Sequence, residues 1–158
     1  QRPRGAVECL GLLANHERHE LAQEVLATLR RKQVPCSVIH YNVVINACAK
    51  SGAWLAAIGL LEEMLAVKLD ADTISYNSAM NACGRGQQWH AACALLAHMP
   101  SAGLEPNLGS YTCAISACEK AVQWQSALAL LEHATASGLE LGVVSHGAAI
   151  SACGKAAE

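Results

Sequence analysis

Tyr41-Asn42-Val43-Val44-Ile45-Asn46-Ala47-Cys48 is answered 35 residues later by Tyr76-Asn77-Ser78-Ala79-Met80-Asn81-Ala82-Cys83, and again by Tyr111-Thr112-Cys113-Ala114-Ile115-Ser116-Ala117-Cys118. Cys153 and the series Trp54, Trp89, Trp124 keep the same spacing. Several residue types sharing one period of ~20–50 residues mark an array of copied units, none of which can bury its apolar face alone. A side chain's phase within the unit therefore says more than its neighbours along the chain.

Within residues 38–72, Tyr41, Val44, Ile45 and Cys48 fall at i, i+3, i+4 and i+7, one face of a helix. Ser51-Gly52 interrupts the pattern, and a second stripe follows at Trp54, Ala57, Ile58, Leu61, Met64 and Leu65. Unit 73–107 repeats the scheme with Tyr76, Met80 and Cys83, then Trp89, Ala92, Leu96 and Met99. Pro100 is expected to end its second helix about a turn early, and Gly103 and Pro106 to separate it from the next unit. Unit 108–142 carries Tyr111, Ile115, Cys118, Trp124, Ala127 and Leu131, with Gly138 as the stop. Residues 143–158 read as the first helix of a truncated repeat, with Ile150 and Cys153 on its apolar face. Residues 3–37 read as a diverged repeat: Leu13, Ala22, Leu26 and Leu29 keep phase, but Ala6 and His19 stand in the Tyr and Trp columns. The expectation is an all-α fold, a right-handed α-solenoid of stacked helix-turn-helix hairpins, in a fragment of a longer array.

Composition agrees with this reading. The chain has 158 residues, of which 53% are hydrophobic, so disorder is excluded. Aromatic residues make up only 4% and Phe is absent; the apolar mass is mostly Ala and Leu, which favours helix. No apolar run approaches the ~18–20 residues that span a bilayer, so no membrane partner is expected. The formal charge of −2 gives no global attraction to nucleic acid or to anionic membranes, so any such role depends on where charges sit. Of eight cysteines, four recur once per repeat, and none shows CxxC or zinc-finger spacing. They read as reduced core filler, which implies a reducing compartment. No metal site, cofactor or catalytic constellation is expected. His40, His90, His98, His133 and His146 read as mostly exposed helix or turn residues without a recurring partner.

The opposite face of each first helix is polar. It carries Asn42, Asn46 and Lys50 in one unit, then Asn77, Asn81 and Arg85, then Thr112, Ser116 and Lys120, then Gly147, Ser151 and Lys155. Residues four apart share a helix face, so stacking joins these into one surface. Beyond residue 38 the basic residues are Lys50, Lys68, Arg85, Lys120 and Lys155, and all but Lys68 share one phase. A ladder of positive charge beside amides and hydroxyls suits a polymeric anion, and single-stranded RNA is such a ligand. The same charges also suit a second role, as cations stabilising helix C-termini. A helical-repeat scaffold for protein partners is the alternative function.

The Tyr-Asn pair near the repeat start, the repeat end in Gly103-Leu104-Glu105-Pro106-Asn107 and the 35-residue length resemble pentatricopeptide repeats. The tetratricopeptide family is the near neighbour, but its period of ~34 residues would drift across the cysteine series. The resemblance implies binding of single-stranded RNA, one base per repeat, with no DNA partner expected. It also implies base reading by the residue after the Tyr column together with the last residue of the repeat, and packing on the base by an aliphatic residue three before the reader. Carried over, Asn42 and Asp72 with Ile39 would favour uridine, and Asn77 and Asn107 with Ile74 a pyrimidine. Thr112 would pair with Gly142 and Gly109, which offer neither a reading nor a packing side chain. Val7 with Ser37 does not fit the pattern, and Gly147 has no side chain to read with. Lys50, Arg85, Lys120 and Lys155 would contact phosphates. The resemblance further suggests a mitochondrion or plastid, with a role in RNA processing, stability or translation.

Overall fold

The computed structural model describes residues 3–15 and 18–157. Among these residues the regular structure is wholly helical: α1 (Pro3–Asn15), α2 (His19–Arg31), α3 (Val38–Ser51), α4 (Trp54–Ala66), α5 (Thr73–Arg85), α6 (Trp89–His98), α7 (Leu108–Lys120), α8 (Trp124–Ala136) and α9 (Val143–Ala156). Pro100 acts as expected. Helix α6 stops at 10 residues, against 13 in α4 and α8, and a short 3₁₀ turn Pro100–Ala102 follows it.

The helices form two layers. The first helices α1, α3, α5, α7 and α9 pack directly on one another in sequence order. The second helices α2, α4, α6 and α8 each pack on the first helix of their own hairpin and on that of the next, while their backbones stay apart from one another. The first-helix layer is therefore the tighter one, and the stack is an α-solenoid of hairpins. Small residues allow this closeness. Ala47, Ala79, Ala82, Ala114, Ala117 and Ala152 are all fully buried on first helices. At Gly84 a Cβ would stand 3.2 Å from the Cβ of Ala117 on the next first helix, tighter than ordinary contact. Between the layers lie the expected columns: Tyr41, Tyr76 and Tyr111; Val44, Ala79 and Ala114; Ile45, Met80 and Ile115; Cys48, Cys83 and Cys118. Burial pushes the Cys48 and Cys83 thiols up to about 11, so both stay protonated and inert at neutral pH.

Both turns of the hairpin scheme need one residue in the left-handed region, again at a period of 35. Between first and second helix the positions are Gly52, Gln87 and Val122; between hairpins they are Gln33, Lys68, Gly103 and Gly138. Only three of the seven are glycine, so the turn geometry persists where the residue best suited to it is missing.

Three sequence expectations change. His98 and His133 do have a recurring partner: they stand one repeat apart, and their Nδ1 atoms lie 2.9 and 2.7 Å from the hydroxyls of Tyr76 and Tyr111. In the first of these three hairpins Glu63 takes the same place, accepting from Tyr41 at 2.6 Å and pairing with Arg30 of α2. A Tyr ring buried between layers needs a partner for its hydroxyl, and the second helix supplies one. His40 is buried rather than exposed, with its Nδ1 accepting from the Ser37 N–H at 3.1 Å. Ile150, expected on an apolar core face, is 72% exposed, because no second helix covers that side of α9 among the described residues. The edge of the second stripe is similarly open: Leu65 and Trp124 are exposed.

Ile115 and Ile150 share a phase, yet Ile115 is fully buried. Ile115→Ala should cost about 2–5 kcal/mol in urea denaturation. Ile150→Ala should cost less than about 0.5 kcal/mol. Equal losses would show that the α9 face is covered after all.

Candidate nucleic-acid interface

Each first helix from α3 on starts from an extended cap residue in one phase: Ser37, Asp72, Asn107 and Gly142. Asp72 Oδ1 accepts the Ser75 N–H at 2.8 Å, and Asn107 Oδ1 accepts the Ser110 N–H at 3.1 Å. Each serine hydroxyl in return accepts the N–H of its cap residue, at 3.2 and 3.3 Å. This reciprocal capping satisfies backbone donors that a helix start leaves orphaned. It also fixes the last residue of one repeat against the first turn of the next.

The candidate reading residues sit one turn further along the preceding first helix. Asn42 Nδ2 donates to Asp72 Oδ1 at 3.1 Å, and the single Ser75 hydroxyl proton is shared between Asn42 Oδ1 at 2.6 Å and Asp72 Oδ1 at 2.8 Å. Asn42 and Asp72 are thus brought together, with Ser75 of the following hairpin beneath them. Burial alone would raise the Asp72 carboxyl. Hydrogen bonds from the Ser75 N–H and hydroxyl, the Asn42 amide and the Ile74 N–H outweigh it and hold the group below its ordinary value. Asp72 is therefore ionised at neutral pH. Ile39 and Ile74, on the successive helices α3 and α5, remain 60% and 63% exposed.

The next site is built differently. Asn77 Nδ2 and Asn107 Oδ1 both lie 3.2 Å from where a Cβ on Gly109 would stand, so they converge on that glycine. Asn77 Oδ1 is buried and has no hydrogen-bond partner among the described residues. The third site is more closed. Thr112 donates its hydroxyl proton to the Leu108 carbonyl at 2.7 Å and lies 2.9 Å from the Ser145 hydroxyl, so it brings no free donor to the surface. Gly142 and Gly147 add no side chain there, while Val144, in the phase of Ile39 and Ile74, is strongly exposed. The Val7 side chain lies outside the described residues.

The basic ladder is engaged along the stack. Arg85 Nη1 donates to the Lys50 carbonyl at 2.8 Å, capping the C-terminal end of the previous first helix. Lys155 Nζ lies 2.7 Å from Glu119 Oε1, which also accepts from Ser151 at 2.9 Å. Lys155 holds the Glu119 carboxyl below its ordinary value, with help from Ser151 and Lys120 against a burial cost. Lys120 is exposed and Lys50 half-buried. Arg85 and Lys155, expected phosphate contacts, thus already have acceptors inside the protein.

Sequence reading missed Ser75, Ser110, Ser145 and Glu119. The serines did carry a signal, a polar residue before each of Tyr76, Tyr111 and His146, but no apolar pattern points to a polar residue that is buried. Among the described residues, no group of three or more His, Cys, Asp or Glu could hold a metal ion, and no helix is long and apolar enough to cross a membrane.

A family model described as Pentatricopeptide repeat-containing protein matches residues 6–134. No curated protein matches the chain in sequence. Among solved structures, the pentatricopeptide repeat protein PPR10 in complex with an 18-nt psaJ RNA element superimposes with a TM-score of 0.86 at 25% identity. That match covers 96% of this chain, which spans only 22% of the PPR10 chain. PPR10 from maize gives a TM-score of 0.79 at 19% identity, covering 95% of this chain and 22% of that one. The PPR domain of Arabidopsis thaliana protein-only RNase P 1, in complex with tRNA, gives 0.78 at 16% identity, covering 94% of this chain and 78% of that one.

Removing the Asp72 side chain as Asp72→Ala should cost about 0.5–2 kcal/mol at neutral pH, the usual range for a lost helix cap. Because the folded carboxyl titrates below its ordinary value of 3.8, the ionised group's contribution is fully present above that pH. It disappears as the pH falls through the lower folded value. The gap between parent and variant in chemical denaturation should therefore be constant near neutrality and close in strong acid. A gap that widens in acid would contradict the assignment.

Proposed function

This chain belongs to the pentatricopeptide repeat family, and from that premise we propose that it binds single-stranded RNA along its stacked first helices. One base per repeat is a mode already described for pentatricopeptide repeats as a class. The observation that carries the reading is the Asn42–Asp72 pair, accompanied by the exposed Ile39 of α3 and Ile74 of α5. Such a site offers apolar surface to the faces of a base and hydrogen-bonding groups to its edge, the two things an unstacked base needs. The RNA in the PPR10 complex and the tRNA in the RNase P 1 complex support the same class of ligand.

In this reading Asn42 and Asp72 select uridine, and Asn77 and Asn107 accept a pyrimidine, so the strand bound is rich in U and C. Thr112 contributes little selection, since its hydroxyl proton is already given to Leu108. Lys50, Arg85, Lys120 and Lys155 supply the phosphate contacts, and Arg85, Lys120 and Lys155 are exposed. The family resemblance supports a role in RNA processing, stability or translation in a mitochondrion or plastid. A protein-interaction scaffold draws its support from the second-helix side instead. There an apolar cavity of about 370 Å³ is lined by Ile58, Leu61, Leu65, Tyr76, Leu95 and His98.

Fluorescence anisotropy with labelled U/C-rich and A/G-rich single strands tests the proposal. The parent should prefer the U/C-rich strand, and Asn42→Ala combined with Asn77→Ala should weaken binding by about 1–3 kcal/mol for each base no longer read. Binding by the double variant equal to that of the parent would sink the base-reading roles. Replacing Lys50, Arg85 and Lys120 by Gln should weaken all strands alike. It should also flatten the dependence of log K on log salt by about 0.7 for each phosphate released. An unchanged slope would leave these residues as helix-end ligands only.

A further inference from the structure

We propose that Ser75 is a positioning residue for base selection at Asn42, although it belongs to the following hairpin. The inference rests on the RNA-binding reading above and concerns how strictly the first site reads. Ser75 is fully buried in the first turn of α5 and touches no ligand surface. Its hydroxyl lies 2.6 Å from Asn42 Oδ1, closer than its 2.8 Å approach to Asp72 Oδ1.

A primary amide has an acceptor end and a donor end, and which one faces a ligand decides what it can read. Here the Asn42 acceptor end is taken by Ser75, and one Nδ2 hydrogen is given to Asp72 Oδ1. Turning the amide over would set its oxygen against the Asp72 carboxylate, two acceptors facing each other, and would lose the Ser75 bond. The amide is locked, and the second Nδ2 hydrogen is what it presents to a base. Asp72 supplies charge, while Ser75 supplies the hydrogen bond that holds the amide oxygen.

The neighbouring site serves as an internal control. Ser110 stands one repeat after Ser75, yet its hydroxyl donates to Asn107 Oδ1 at 3.2 Å, and Asn77 Oδ1 is left without a partner among the described residues. Asn107 Oδ1, held by Ser110, carries no full charge, so it opposes a turn of Asn77 less than the Asp72 carboxylate opposes one of Asn42. Asn77 can therefore present either end, and its site reads loosely where the Asn42 site reads strictly. At the third site the bridge returns, with Ser145 2.9 Å from Thr112. The unit that reads a base is thus one repeat plus the first turn of the next.

The test uses synthetic labelled oligoribonucleotides in which each position in turn carries each of the four bases, bound to the full chain. Ser75→Thr and Ser75→Val differ by a hydroxyl at nearly equal shape, and Ser75→Ala covers the case in which the larger side chains do not fold. The parent should discriminate most at the position that Asn42→Ala abolishes. Ser75→Thr should keep that preference. Ser75→Val and Ser75→Ala should reduce it by about ten-fold, the scale of one oriented hydrogen bond, lower the melting transition only as far as a lost helix cap does, and leave discrimination at the adjacent Asn77 position nearly unchanged. Full discrimination in the Val and Ala variants would overturn the positioning role while leaving RNA binding intact. Equal loss at both positions, or loss in the Thr variant as well, would reduce Ser75 to a helix cap. A parent that binds no RNA, or all sequences alike, would instead refute the functional reading on which the inference stands.

Discussion

Two helices can approach only as closely as the residues between them permit, and along the inner layer of this solenoid those residues are alanine and glycine. The contact of Gly84 with Ala117 shows the limit: an added methyl there would press on the next helix. Everything polar on that layer depends on this spacing. Asn42 can bond to Ser75 only because α3 and α5 are close enough for a short side chain on one to meet a short side chain on the other. Longer residues at the alanine positions would part the helices and break each bridge before the core itself loosened.

The outer layer solves a different problem. Second helices keep their backbones apart and meet through side chains such as Arg30 and Glu63, so their alignment comes mainly from what they share with the first helices. The tyrosine column provides that link, with a hydroxyl at the edge of the core seeking a partner on the second helix of the same hairpin. Glu63, His98 and His133 are three chemical answers to one geometric demand. The column therefore tolerates exchange of acceptor type but not its loss, since a buried phenol without a partner carries the full cost of desolvation.

The fold was legible in the sequence because burial in a stacked hairpin array has a fixed period, and Tyr, Cys and Trp mark it directly. Turn positions were legible where glycine fills them, at Gly52, Gly103 and Gly138, and invisible where Gln87 or Val122 adopts the same backbone. The site was half legible. Asn42 follows from phase, whereas Asp72 and the two isoleucines were pointed to only by the resemblance to pentatricopeptide repeats. Ser75 does not, because its importance lies in a partner 33 residues away and in its own complete burial. The histidines were misread for a related reason: each partner lies 22 residues back, on the other helix of the hairpin. The charge ladder was visible as a pattern, but the acceptors that occupy Arg85 and Lys155 are a backbone carbonyl and the off-phase Glu119.

The reciprocal cap at Asp72 and Ser75 has a consequence for how such a chain can be cut and rejoined. A hairpin boundary drawn between residues 72 and 73 severs the cap, the Asn42 bridge and the packing of α4 on α5 in one stroke. A block of the same length that begins instead in the turn after a first helix carries each cap, with its serine, intact. Grafting, duplication or deletion of whole periods in that shifted frame keeps Asp72 with Ser75 and Asn107 with Ser110. The natural module of exchange in this molecule is therefore second helix followed by first helix, not the hairpin that the eye picks out.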